Sequence, residues 1–156
     1  MGSIFLQRIF MKKLLITLIL FAGSLLNGNQ TLSFKEDSSH GCGIITLFTQ
    51  EHTKPLGYCS FIHREQSITI NHLKVLNSQD RGQGYGSQLL KQVLTKGLIS
   101  NIPVYLNASP FQEDLKQYGS VESALNKIIK FYKKHGAEIN KQDENSADIV
   151  FHPMII

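Results

Sequence analysis

The residues best suited to chemistry lie in positions 73–91, LKVLNSQDRGQGYGSQLLK. A glycine cluster, Arg81-Gly82-Gln83-Gly84-Tyr85-Gly86, follows an apolar strand end at Leu73 and Val75 and opens a helical pattern. Tyr85, Leu89 and Val93 recur every four residues, and Leu90 and Leu94 fill the same side. Strand, glycine loop and helix start together make a site for an anion. Glycines let the backbone bend tightly against a ligand, and the first N–H groups of a helix have no partner inside it. Ser87 adds a hydroxyl in the first turn. Read alone, these residues fit equally well a turn that only connects strand to helix.

Two familiar phosphate loops fail here. A P-loop ends in Gly-Lys-Ser/Thr, whereas Gly86 is followed by Ser-Gln. A dinucleotide fingerprint needs a third glycine where Ser87 stands, and an acidic residue about 20 positions on, where none is found. What remains, Arg81-x-x-Gly84-x-Gly86, resembles the pyrophosphate loop of the GNAT acyltransferase superfamily, R/Q-x-x-G-x-G/A. The resemblance implies that Arg81, Gly82, Gln83, Gly84, Tyr85, Gly86 and Ser87 hold acetyl-coenzyme A, mostly through backbone N–H groups.

The elements that must position this loop precede and follow it. Residues 31–34 make a short candidate strand; 43–48 and 57–62 are stronger, separated by the polar stretch 49–55. Residues 67–76 are the fourth. There Ile68 and Ile70 set one alternation and Leu73 and Val75 the other, so the register slips at Asn71-His72. One extra residue is a β-bulge, unless the strand simply ends and restarts. GNAT domains carry such a bulge before the pyrophosphate loop, where it opens a gap for the pantetheine arm. By the same analogy Val75 pairs its backbone with the pantetheine. Family members also place two helices between the first two strands; only residues 35–42 are available here, which implies an uncovered acceptor side. The approach to the loop, Val75-Leu76-Asn77, has one residue more than the family's pattern before Arg81.

After the helix at 86–98, residues 103–108 read as a strand, parallel to the fourth through a right-handed crossover. In GNAT folds this strand splays from its neighbour. Residues 109–120 read as a polar loop, and 121–135 as a helix with Val121, Leu125, Ile128 and Tyr132 on one face. Its ending, Phe131-Tyr132-Lys133-Lys134-His135-Gly136, is similar to the family's second signature, in which the tyrosine hydroxyl lies near the thioester sulfur. A last strand at 147–151 closes the sheet. The expected fold is therefore α/β (α+β), a GNAT-like mixed and mostly antiparallel sheet with a splayed parallel pair and two main helices.

The reaction implied is direct attack of an amine, of unknown identity, on the acyl thioester of acetyl-coenzyme A. Tyr132 is the expected acid for the leaving thiolate, since a phenol of pKa about 10 suits that donor role; it is equally placed to be core. His72, at the bulge, and Glu65 are the candidate bases, against a solvated surface role for His72. Asn107 is a candidate hydrogen-bond partner of cofactor or acceptor. His40, His52, His63, His135 and His152 have no metal-ligand spacing, so no metal is expected. A degenerate GNAT that binds acyl-coenzyme A or serves as an interaction module is the alternative to an enzyme. A secreted β-protein with a chance glycine loop is a third reading.

Bulk charge adds little. The 156 residues carry a formal +4, but Arg8, Lys12 and Lys13 leave 13 basic against 12 acidic residues beyond position 29, and no basic run points to nucleic acid. Residues 1–29 are different in kind: three cations precede the 13 residues LLITLILFAGSLL, the pattern of a signal peptide or signal anchor. Met11-Lys12-Lys13-Leu14 reads like a natural signal start, which would make Met1–Phe10 an extension from an upstream start codon. Export or membrane attachment is expected if this leader operates, and a cytoplasmic protein otherwise, with the domain at 30–156. Cys42 and Cys59 are expected as buried, unpaired thiols, Cys42 lying opposite Arg64 and Glu65.

Overall fold

The computed structural model describes residues 32–49 and 54–153, so the expected leader lies outside the described residues. Seven strands form one sheet: β1 (Leu32–Ser39), β2 (Cys42–Thr49), β3 (Pro55–His63), β4 (Ile68–Val75), β5 (Val104–Ala108), β6 (Glu138–Gln142) and β7 (Ala147–Phe151). Their order is β1-β2-β3-β4-β5-β7-β6. Only β4 and β5 pair in parallel, and all other neighbours are antiparallel. Helix α1 (Tyr85–Ser100) makes the crossover from β4 to β5; α2 (Gln112–Tyr118) and α3 (Val121–Lys134) lie between β5 and β6.

The first hairpin shows why the space between β1 and β2 holds no helices. β1 continues through Lys35, Glu36 and Asp37 to Ser39, five residues past the expected end, and turns at His40 and Gly41. Both turn residues have positive φ, 50° and 80°, as a two-residue hairpin turn requires. The charged half of β1 escaped a reading based on apolar alternation. An edge strand exposed from Ser33 onward needs no apolar phase there, and its charges discourage pairing with another chain.

The bulge is present. Ser60 pairs with His72 and Phe61 with Ile70, leaving Asn71 as the extra residue in β4. The insertion lets both apolar phases of β4 serve one face: Ile68 and Ile70 are buried, and Leu73 packs against the same core. From the neighbouring strands Ile45, Leu47, Cys59, Phe61, Val104, Leu106 and Ile149 join them, under Leu89, Leu90 and Val93 of α1 and Leu125, Ile129 and Tyr132 of α3. Alternate residues such as Ile44 and Tyr105 point the other way and are exposed.

α1 comes close enough to β5 that one position admits only glycine. A Cβ on Gly97 would stand 2.6 Å from Val104 Cγ2 and 3.0 Å from the Ile102 carbonyl oxygen. Gly97→Ala gains about 1 kcal/mol of helix propensity, but overpacking costs about 1–3 kcal/mol. The expected result is a net loss of stability, read as a lower midpoint in urea with an unchanged slope.

Three expectations need correction. Residues 109–120 are not a loop throughout, since α2 occupies Gln112–Tyr118; with Leu115 its only aliphatic residue, it shows no apolar periodicity. β6 was not foreseen, because its Glu-Ile-Asn-Lys-Gln is polar and exposed apart from half-buried Ile139. Its turn to β7 is closed by Asp143, whose carboxylate accepts from the amides of Asn145 and Ser146 at 2.8 and 2.7 Å. Cys42 pairs with Ile62 rather than facing Arg64 and Glu65, and it is exposed, not buried. The β2–β3 ladder has an irregularity at Leu47/Phe48 that no residue type announces. Cys59 is buried beneath the helices, and burial pushes its thiol up to about 12.

Candidate active site

The parallel pair parts early. Ile68, Thr69 and Ile70 pair with Val104, Tyr105 and Leu106, and there the ladder stops. β4 goes on to Val75 and β5 to Ala108, so residues 71–75 run past the bulge with no partner from β5. A wedge opens between the two strands, and the glycine loop stands at its head. The extra residue before Arg81 is taken up by a 3-10 turn, Ser78–Asp80, whose first amides are met by Asn77: its Oδ1 accepts from the Gln79 N–H at 3.2 Å.

The loop is shaped by two glycines. Gly82 and Gly84 have φ of 85° and 87°, the left-handed region that side chains resist. A Cβ on Gly82 would meet no atom within 4 Å, so the loop is open on that side. Gly84 is the N-cap of α1 and offers its amides no side-chain oxygen, and no acidic residue stands in the first turn. The positive end of the helix dipole is thus left for an outside anion, and the residues present fit a pyrophosphate. Gly86 has an ordinary φ, and a Cβ there would touch Phe131 Cζ at 3.7 Å and Val75 Cγ2 at 3.8 Å without a clash. Gln83 is exposed, while Tyr85 is half-buried and packs against the core.

Arg81 does not point into the loop. Its guanidinium donates to Asp114 Oδ1 at 2.8 Å and reaches Gln117 Oε1 at 3.5 Å, tying the loop to α2. Lys74 makes a parallel tie, to Glu113 Oε1 at 3.3 Å, and lies 5.4 Å from the centre of the Phe111 ring. Asp114 has a second duty, since its Oδ2 accepts from the Phe111 amide at 2.9 Å and so holds the start of α2. Asp114→Ala removes both contacts. Hydrogen bonds to charged groups are worth about 1.5–3 kcal/mol, and this pair, partly open to water, belongs near the lower value. Faster hydrogen exchange across α2, with α1 unchanged, is the expected result. Sequence reasoning had no route to Asp114, because its partner lies 33 positions away.

Tyr132 is buried, 7% exposed, on the face of α3 that meets the sheet. Its ring stands edge-on to Phe131 and Phe151, with centroids 5.0 and 6.3 Å away. Burial holds the phenol well above its ordinary pKa, and the neighbouring Cys59 and Asp114 push in the same direction. Burial thus favours the neutral, protonated phenol.

His72 lies across the sheet from Tyr132. It is exposed beside the bulge, opposite Ser60, with Nδ1 3.3 Å from the Ser60 hydroxyl. Ser60 and His72 face away from Cys59, whereas Tyr132 is on the Cys59 side. Glu65 is exposed in the β3–β4 turn, at the end of β4 remote from the loop. The structure does not bring it to the wedge. Asn107 is exposed on β5 and spends its amide on Asp148 Oδ1 of β7 at 2.8 Å. Val75 pairs with Gly57 of β3 on one side and borders the wedge on the other. The Ser87 hydroxyl lies 2.9 Å from His135 Nε2, a contact that joins the two sequence signatures.

No family model matches the sequence, and no curated protein matches it. Solved structures do. The ribosomal-protein-S18-alanine N-acetyltransferase from Escherichia coli is similar over 76% of this chain and 74% of its own, with TM-score 0.58 and 11% identity. An aminoglycoside 6'-N-acetyltransferase complexed with coenzyme A is similar over 76% of both chains, with TM-score 0.55 and 16% identity. Naa50 from Arabidopsis thaliana, in complex with the bisubstrate analogue CoA-Ac-MVNAL, is similar over 69% of this chain and 71% of its own, with TM-score 0.51 and 24% identity. The chain has the GNAT fold. At these identities the likeness is one of architecture. In this GNAT fold the splayed pair is β4 and β5, the glycine loop caps α1, and the link from β1 to β2 is a two-residue turn.

Proposed function

We propose that the chain is an N-acetyltransferase that takes acetyl-coenzyme A at the glycine loop and passes the acetyl group to an amine by direct attack. One observation carries this reading: the uncapped start of α1 and the open β4–β5 wedge lie side by side, with Tyr132 buried below them. It is supported by neighbours of the same fold: two are N-acetyltransferases, one of them solved with coenzyme A, and Naa50 was solved with a bisubstrate analogue containing CoA.

Acetyl-coenzyme A would supply the thioester whose acyl carbon the amine attacks. The amides from Gly82 to Ser87 would hold its pyrophosphate, which needs backbone geometry more than side-chain identity. Backbone groups at Val75, freed from β5 by the bulge, would line up the pantetheine. Tyr132, its protonated form favoured by burial, would donate to the leaving sulfur. His72, on the opposite face, is placed to accept a proton from an amine arriving there, directly or through water. Asn107 would bear on an acceptor only through its pair with Asp148.

A second reading, an acyl-coenzyme A-binding module without turnover, is favoured by the two-residue turn at His40 and Gly41, which leaves no segment between β1 and β2 to lie over an acceptor. Thiol release separates the two. The full chain is incubated with acetyl-coenzyme A and a panel of amines: polyamines, lysine peptides and peptides with free N-termini. Release that requires one of the amines supports the transferase; cofactor binding without amine-dependent release across the panel favours the binding module.

A further inference from the structure

The hydrogen bond between Ser87 and His135 has no role in the scheme above. Ser87 is in the first turn of α1 and His135 is the C-cap of α3; 48 positions apart, they place Oγ and Nε2 at 2.9 Å. The imidazole is half-buried, edge-on to the Phe131 ring with 5.0 Å between centroids. Burial, then Lys91 of α1 and Lys134 of its own helix, hold its pKa below the ordinary value. Both of these charged groups are cations, so they work with burial against the charged ring.

A serine hydroxyl has one proton to give and lone pairs to accept with. If the imidazole accepts from Ser87, that proton is spent. If Nε2–H donates instead, the serine proton is free for an acceptor beyond the helix start, and a phosphate oxygen can only accept. We propose that His135 is a positioning residue of the anion site, donating Nε2–H to Ser87 Oγ and so aiming the serine proton at a phosphate of the coenzyme. The inference rests on the acetyl-coenzyme A reading given above. A phosphate held there offsets the two lysines and raises the affinity of Nδ1 for a proton from solvent. Coenzyme binding therefore takes up a proton. Affinity rises as pH falls, beginning at the pKa of the bound state and levelling off below that of the free state.

The experiment is calorimetric titration of acetyl-coenzyme A into the full chain, in buffers of different ionisation enthalpy, at about pH 6 and about pH 8. Wild type is expected to take up a fraction of a proton at the lower pH. His135→Gln places an amide donor where Nε2 stood, so it keeps affinity within about threefold at the higher pH but loses the proton uptake. His135→Leu loses about tenfold in affinity, the worth of one hydrogen bond to a charged group. Equal affinity of wild type and a folded His135→Leu overturns the inference alone, as does proton uptake retained in His135→Gln. A folded wild type that binds no acetyl-coenzyme A overturns the cofactor reading, and this inference with it.

Discussion

Tyr132→Phe is expected to lower turnover by about 100-fold or more, the usual worth of a positioned general acid, with acetyl-coenzyme A affinity and thermal midpoint unchanged. The separation follows from the surroundings of the ring. Phe131, Phe151 and the sheet hold the aromatic body, which phenylalanine keeps in full. Among the described residues the hydroxyl donates no hydrogen bond whose loss would weaken the fold, so deleting it leaves no buried group unsatisfied. A core tyrosine with no catalytic duty would lose neither stability nor rate. The pH profile adds a second check. Because burial raises the phenol above its ordinary pKa, ionisation of Tyr132 should impose no alkaline limb on the wild-type rate. Steady-state and single-turnover kinetics on the two proteins measure both effects. A variant as fast as wild type would remove Tyr132 from the chemistry.

Gly84→Val should abolish useful cofactor binding while leaving the domain folded. The residue has φ of 87°, where a β-branched side chain is a severe misfit, and it is the N-cap of α1. The left-handed region costs an L-residue about 1–2 kcal/mol, and relief comes only by rotating the loop amides away from the anion. At least a tenfold loss of acetyl-coenzyme A affinity is expected, with a fall in thermal midpoint of a few degrees. Gly86→Ala is the matched control. Its φ is ordinary and its new methyl would meet Phe131 and Val75 at 3.7 and 3.8 Å, so affinity should stay close to wild type. If both variants bind as wild type does, the loop is a connector and nothing more.

The comparison of sequence with structure divides along physical lines. The glycine loop, the slip at Asn71 and the apolar faces of α1 and α3 were legible because each is a local pattern that one residue type enforces. The charged half of β1, the polar β6 and the short α2 were not. They are held by pairing with neighbours or by single contacts such as Asp114 with the Phe111 amide, and they bury little apolar surface. For the site, the sequence pointed to Gly82, Gly84 and Tyr132 but not to their supports. The resemblance implied cofactor contacts for Arg81 and Ser87, and said nothing of the side-chain partners they have here, Asp114 and His135. Glu65 stood beside His72 as an alternative base, and the topology puts Glu65 at the far end of β4. Partners 33 and 48 positions apart leave no local trace.

The most direct test of the central claim is a calorimetric titration of acetyl-coenzyme A into the full chain, run beside Gly84→Val. Saturable binding with one site per chain, lost in the variant, is the predicted result. A folded wild-type protein that gives no binding heat at several temperatures, and no shift in thermal midpoint with the cofactor, would contradict it.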